Sequence, residues 1–141
     1  MRGAEDAVRL ARWLPSDRDR ETFLVLCLDV KLAVNAGYVA AVGSLDYCPV
    51  HPREVFTAAL LSKAAPVILG HNHPSGDPTP SPEDCAITRR LVDAGEILGI
   101  PVQDHVIVAH DRTYSFREAG VMPPPRTHGR PSRWRTPASG S

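Results

Sequence analysis

Apolar and polar positions along the chain divide it into a series of short predicted elements. Ala7, Leu10, Ala11 and Leu14 recur at i, i+3, i+4 and i+7, which predicts an amphipathic helix over 5–14. Glu5 and Asp6 suit the positive N-terminal end of that helix. Pro15 and the charged run 16–20 end it. The stretch FLVLCL, 23–28, is continuously apolar and short, as expected of a strand covered on both faces. A second strand is expected within 32–42, although Asn35-Ala36-Gly37 also reads as a turn. Gly43-Ser44 and Cys48-Pro49 mark a loop. Pro52 at a helix N1 position, with Glu54 behind it, predicts a helix to about Ala65 that buries Val55, Phe56, Ala59 and Leu60.

Pro66 separates that helix from a strand over 67–73, and Ser81-Pro82 opens the longest helix. Its expected apolar stripe is Ile87, Leu91, Ala94 and Leu98, with Arg89, Arg90 and Asp93 outside. Gly95 inside this helix costs about 1 kcal/mol relative to alanine, and Gly99 is a natural residue to end it. VQDHVIVA, 102–109, reads as a strand, and Asp111-Arg112 turns it into a last short strand at 113–116. No internal repeat is visible. The order αββαβαββ predicts a mixed α/β (α+β) layer structure rather than a doubly wound parallel sheet.

A chain of 141 residues suits one ordered domain, expected over 1–122. Residues 123–141 carry four arginines, five prolines and no acid, cannot bury a core and are expected to be a disordered tail. The whole chain holds 16 basic and 16 acidic residues, so the body without this +4 tail is acidic by four charges. Arg133-Trp134-Arg135 could make weak, salt-sensitive contact with nucleic acid, but a solvated tail is the expectation. No apolar run approaches the roughly 20 residues of a membrane span, and MRGAEDAVRLARWL interleaves charge with apolar residues instead of forming a signal-peptide core. A soluble, cytoplasmic protein without membrane partners is therefore expected. Cys27, Cys48 and Cys85 are odd in number and form no CxxC pair, so buried or semi-buried free thiols are expected.

The candidate chemistry lies in VILGHNHPSGDPTPSPED, 67–84. Strand side chains alternate faces, so His71 and His73 share one side and Asn72 takes the other. Two imidazoles on one face can grip one metal ion. The proline turn brings the next helix back, and Asp84 in its first turn could supply an oxygen. Two histidines and one aspartate leave a tetrahedral position for water, the open arrangement of a catalytic zinc. Ser81-Pro82-Glu83-Asp84 is equally a good helix start, with Ser81 at the N-cap and an acid at N3. The residues alone leave Asp84 open between capping and ligation, and its two oxygens could serve both.

HxH, seven residues, then SxxD is the JAMM motif of MPN-domain metalloproteases, met here by His71, His73, Ser81 and Asp84. HNHPSGDPTPS, with HPREVF before it and DHVIV after, resembles the RadC family in particular, over roughly residues 5–121. The resemblance implies an MPN/JAMM fold, a bound Zn²⁺ and hydrolysis of a peptide or isopeptide bond in a protein substrate. It also implies an upstream glutamate as catalytic base, in a segment like Arg-Glu-x-Phe. Arg20-Glu21-Thr22-Phe23 fits, which points to Glu21; Glu54 is the competitor, better explained by its helix N-terminus. Glu21 would take a proton from the metal-activated water and pass it to the leaving amine, and Ser81 would donate to the oxyanion. A second reading is a DNA-repair-associated accessory protein with a structural or vestigial metal, which the acidic body argues against.

The other polar residues carry lesser expectations. Asp104 and His105 are read as core or as groups that orient a metal-bound histidine, Asp104 being the candidate orienter. His51, His110 and His128 are read as surface or loop residues, Cys85 as packing, and Asp77 as the acceptor of an Asx-type turn. Two features depart from the family. Its full-length members carry an N-terminal helix-hairpin-helix segment that binds DNA non-specifically, and this chain is expected to begin after it. The turn Val30-Lys31-Leu32-Ala33 is unusually apolar. HNH at 71–73 is not the nuclease motif of that name, and the PCxxC of zinc deaminases is absent.

Overall fold

A computed structural model of the chain describes residues 2–15, 18–43, 50–62 and 66–124. The elements follow in the expected order: α1 (Arg2–Trp13), β1 (Thr22–Leu28), β2 (Val34–Val42), α2 (Pro52–Leu61), β3 (Val67–Asn72), α3 (Pro82–Leu98), β4 (Val102–Ala109) and β5 (Arg112–Ser115). The strands form one mixed sheet in the order β2-β1-β3-β4-β5. Only β3 and β4 run parallel, because α3 carries the chain back over the sheet between them.

The continuous burial of β1 and β3 follows from their central places, with helices on both faces. On one face Leu10 of α1 and Leu14 just after it pack on Leu24, Leu26, Ile68, Val106 and Val108. On the other, Val55, Phe56 and Ala59 of α2 and Leu91 of α3 pack on Phe23, Val25, Val67 and Leu69. The result is an α+β domain of three layers. Tyr38 of β2 ties the sheet to α2 by donating its hydroxyl to the Val55 carbonyl.

Several details differ from the sequence reading. Asn35, Ala36 and Gly37 lie within β2; Ala36 and Gly37 pair with Cys27 and Leu26 of β1 and Asn35 falls at a register shift between them and Val34, so the ladder wins over the local turn signal. Trp13 covers Gly37 so closely that a Cβ there would meet its ring at 2.7 Å. α2 ends at Leu61, capped by Ser62, and its buried face is Val55, Phe56 and Ala59; Leu60 is exposed. The inner stripe of α3 is Thr88, Leu91, Val92 and Gly95, while Leu98 is 43% exposed. The helix is turned this way because Gly95 abuts the Ile100 carbonyl, where a Cβ would stand 2.3 Å from the oxygen. α1 begins at Arg2, so Asp6 falls beyond its first turn, where it is fully buried and paired with Arg9 at 2.8 Å. Cys27 is a buried free thiol as expected, whereas Cys85 is exposed and packs in no core. The apolar turn after β1 closes because Asp29 Oδ1 accepts from the amides of Lys31 and Ala33, with Leu32 in the left-handed region at φ 67°. Cys48, the loop at 44–49, the residues 63–65 and the tail from 125 onward, with His128, lie outside the described residues.

Candidate metal centre

The site lies at the C-terminal end of β3, on the face covered by α3. His71 is the last but one residue of β3 and His73 follows the strand directly. The His73 amide donates to the Val108 carbonyl at 2.8 Å, which carries the β3–β4 pairing one residue further and holds His73 on the same face as His71. Their Nε2 atoms stand 3.0 Å apart. The turn then reverses sharply at Gly76, φ 88°, where a Cβ would meet the His110 ring at 2.6 Å. Asp77 Oδ1 accepts from the Thr79 amide at 3.0 Å, the expected Asx-type bond.

Asp84 serves as cap and as a site residue at once. Ser81 Oγ accepts from the Asp84 amide at 3.0 Å, and Asp84 Oδ2 accepts from the Ser81 amide at 2.8 Å, a complete capping box. Asp84 Oδ1 lies 3.1 Å from His71 Nε2, and Oδ2 lies 3.0 Å from His73 Nε2. His71, His73 and Asp84 each offer one ligand atom within 4.8 Å of the others, and are the group among the described residues that could hold a metal ion.

The donor set fits a divalent metal. His73 donates Nδ1–H to the Asp77 carbonyl at 2.9 Å, so in the neutral ring Nε2 turns a lone pair toward an Asp84 oxygen. Two acceptors that close repel unless a metal ion lies between them or, in the metal-free protein, a second proton on His73 bridges them. Ligands about 2.0–2.1 Å from a tetrahedral zinc stand roughly 3.3 Å apart, close to the separations seen here.

Electrostatics around the group are strong because little water reaches it. Burial raises the Asp84 carboxyl, but hydrogen bonds from His71 and His73, the charge of His71 and the Ser81 amide outweigh it and hold Asp84 far below the usual carboxylate range. Burial lowers His73, but the Asp84 contact, the Asp77 carbonyl and the Glu21 charge leave its pKa raised overall.

The residue just before β1 supplies the remaining acid. Phe23 pairs with His71 across the β1–β3 ladder and stacks on its ring at 5.7 Å. Glu21, two residues earlier, shares the face of Phe23 and lines the same cavity of about 920 Å³ as His71, His73, Ser81 and Asp84. Glu54 is exposed in the first turn of α2, outside that lining. The segment before β1 is held from behind by Asn72, whose side chain points to the opposite face. Its Oδ1 accepts from the Thr22 amide at 2.8 Å, and its Nδ2 donates to the carbonyls of Arg20, at 2.9 Å, and Arg18, at 3.3 Å.

Asp104 does not orient either histidine. It lies on the α1 side of β4, fully buried, and accepts from its neighbour His105's amide, Ser115 Oγ and the Arg117 amide. Burial raises its pKa. His105 faces the site instead, with Nε2 2.9 Å from Nδ1 of His71 and Nδ1 2.5 Å from Thr88 Oγ1. Complete burial, then the nearby His71, push the His105 pKa well down. Thr88 is the residue the sequence reading missed; a polar side chain on the inner face of α3 was its one signal. His51, at the α2 N-cap, is exposed as expected but also lines the cavity, and His110 is exposed in the β4–β5 turn.

A mixed sheet carrying a His-x-His strand end, with an acid from the next helix closing on it, defines a JAB-type domain of the MPN fold. A family model described as the RadC-like JAB domain matches residues 1–121. The UPF0758 protein of Desulforamulus reducens is 46% identical over 122 residues, covering 86% of this chain and 54% of that one. Those of Pelobacter propionicus and Thermotoga maritima are 56% and 53% identical over 106 and 104 residues, covering 75% and 74% of this chain. The chain belongs to the RadC family. It spans about half the length of the curated relatives it matches.

Proposed function

We propose that the domain is a zinc-dependent hydrolase of the JAMM metallopeptidase type, acting on a peptide or isopeptide bond of a protein substrate. The observation that carries this reading is the convergence of two imidazole nitrogens and one carboxylate, with a further carboxylate, Glu21, on the same cavity. Zinc held by His71, His73 and Asp84 would supply a water of pKa near 7 and polarise the scissile carbonyl. Glu21 then accepts the proton of the attacking water and returns it to the leaving amine. Ser81 Oγ accepts from the Asp84 amide, which leaves its own hydroxyl proton free to donate to the developing oxyanion. The cavity is open enough for an extended chain to lie across the site, which suits a peptide better than a small metabolite.

The unpaired thiols Cys27 and Cys85 suit a reducing compartment, in keeping with a cytoplasmic enzyme. No helix among the described residues is long and apolar enough to cross a membrane. Nucleic-acid contact through the basic tail would be a weak accessory to this activity.

Metal analysis and hydrolysis of a peptide and isopeptide panel test the proposal. Wild type should bind one zinc and turn over. Glu21→Gln should retain zinc and lose about 10²–10⁴ in rate, whereas His71→Ala should lose both. A folded wild type that binds no zinc, or a Glu21→Gln variant of undiminished activity, would sink the assignment.

A further inference from the structure

The hydrogen bonds behind His71 run in one direction. The Thr88 hydroxyl donates to the Asp84 carbonyl, one helical turn back, at 2.7 Å. With that proton committed, Thr88 Oγ1 meets His105 Nδ1 as an acceptor, so His105 carries its proton on Nδ1. A lone pair is left on His105 Nε2, 2.9 Å from His71 Nδ1. His71 must then hold its proton on Nδ1 and turn the lone pair of Nε2 toward His73 and Asp84. We propose that Thr88 and His105 are positioning residues which select the His71 tautomer able to ligate a metal. The inference rests on the metal reading of the site.

The arrangement is held rigidly. His105 is fully buried, stacked on Phe116 at 4.8 Å and 8° and edge-on to Phe23 at 5.6 Å, so its ring has neither water nor room to turn. Thr88 is also fully buried. Metal-bound histidines commonly donate their second nitrogen to a carboxylate or a backbone carbonyl; here the acceptor is an imidazole. The adjacent acid, Asp104, is excluded because it faces the other side of the sheet. The opposite His71 tautomer would place an N–H where the ligand lone pair belongs and remove one of three donors.

Zinc competition against a chromophoric chelator, at fixed pH and on the full chain, reads the effect. Thr88→Val and His105→Leu should each weaken zinc binding about 10–100-fold. Thr88→Ser, which keeps the hydroxyl, and His105→Gln, which keeps an acceptor toward His71 and a donor toward Thr88, should restore it to within a few-fold of wild type. In zinc-loaded, isotope-labelled protein the His71 Nδ1 proton should give a slowly exchanging downfield resonance that Thr88→Val broadens or removes. Folded Thr88→Val and His105→Leu variants that bind zinc as tightly as wild type overturn the relay, as does a loaded wild type ligating through His71 Nδ1. A wild type without zinc affinity overturns the metal reading itself and the relay with it. Should His105→Leu fail to fold, the nearly isosteric Thr88→Val carries the test.

Discussion

Asp84 Oδ2 accepts the Ser81 amide proton at 2.8 Å while lying 3.0 Å from His73 Nε2. One carboxylate oxygen thus caps the start of α3 and faces the candidate metal position. The two duties separate by substitution, because a cap needs only an acceptor whereas a cationic metal favours a charge. Asp84→Asn keeps the acceptor, so at a pH above the folded His73 value, where the imidazole contacts no longer contribute, the melting temperature of the metal-free protein should fall by only a few degrees, equivalent to less than about 1 kcal/mol. Zinc affinity should drop by more than the roughly 10–100-fold of an outer-shell change. Thermal melts beside chelator competition check both.

Asn72 should prove as important to turnover as a residue inside the cavity, although it points away from it. Its side chain holds the Thr22 amide and the carbonyls of Arg18 and Arg20, the segment that carries Glu21. Asn72→Ala leaves those buried groups unpaired, at a cost of about 1–3 kcal/mol. Hydrolysis should fall at least about 10-fold, as a misplaced base predicts, while zinc affinity stays within a few-fold of wild type. Equal losses of zinc and activity would show instead that Asn72 supports β3 alone.

The metal-free protein should be most stable in a mildly acidic window. Asp84 has its folded pKa depressed, so its contribution is present above the unfolded value of about 4 and lost as pH falls through the folded one. His73 has its folded pKa raised, so its contribution is complete below about 6.5 and lost as pH rises through the folded value. Urea midpoints compared between wild type and Asp84→Asn should therefore differ most between about pH 4 and 6.5. Zinc reverses the alkaline limb, because binding needs neutral His73, and the zinc-induced gain in melting temperature should be larger at about pH 8 than at about pH 6.

Gly95 sits in the last turn of α3, where alanine would ordinarily gain up to about 1 kcal/mol. The Ile100 carbonyl at 2.3 Å from an added Cβ reverses that sign. Gly95→Ala should destabilise the fold by about 1–3 kcal/mol, the range for overpacking, as read from equilibrium urea unfolding. A stabilised variant would mean that the loop at 99–101 yields freely.

The sequence by itself determined the order of elements and the grouping of His71, His73, Ser81 and Asp84. Both are encoded in short range: burial on both faces makes β1 and β3 continuous apolar runs, HxH shares a strand face by pleat alone, and SxxD is a helix start by local hydrogen bonding. The rest is decided at long range. Which stripe of α3 faces inward depends on the close approach at Gly95, so Leu98 could not be placed from periodicity. Asp104 and His105 are neighbours in sequence, but only their place in β4 sends the acid toward α1 and the imidazole toward His71. The assembly of Glu21 with the histidines depends on β1–β3 pairing across some fifty residues, which no local pattern specifies. Local chemistry chose the donors; the sheet register decided what stands behind them.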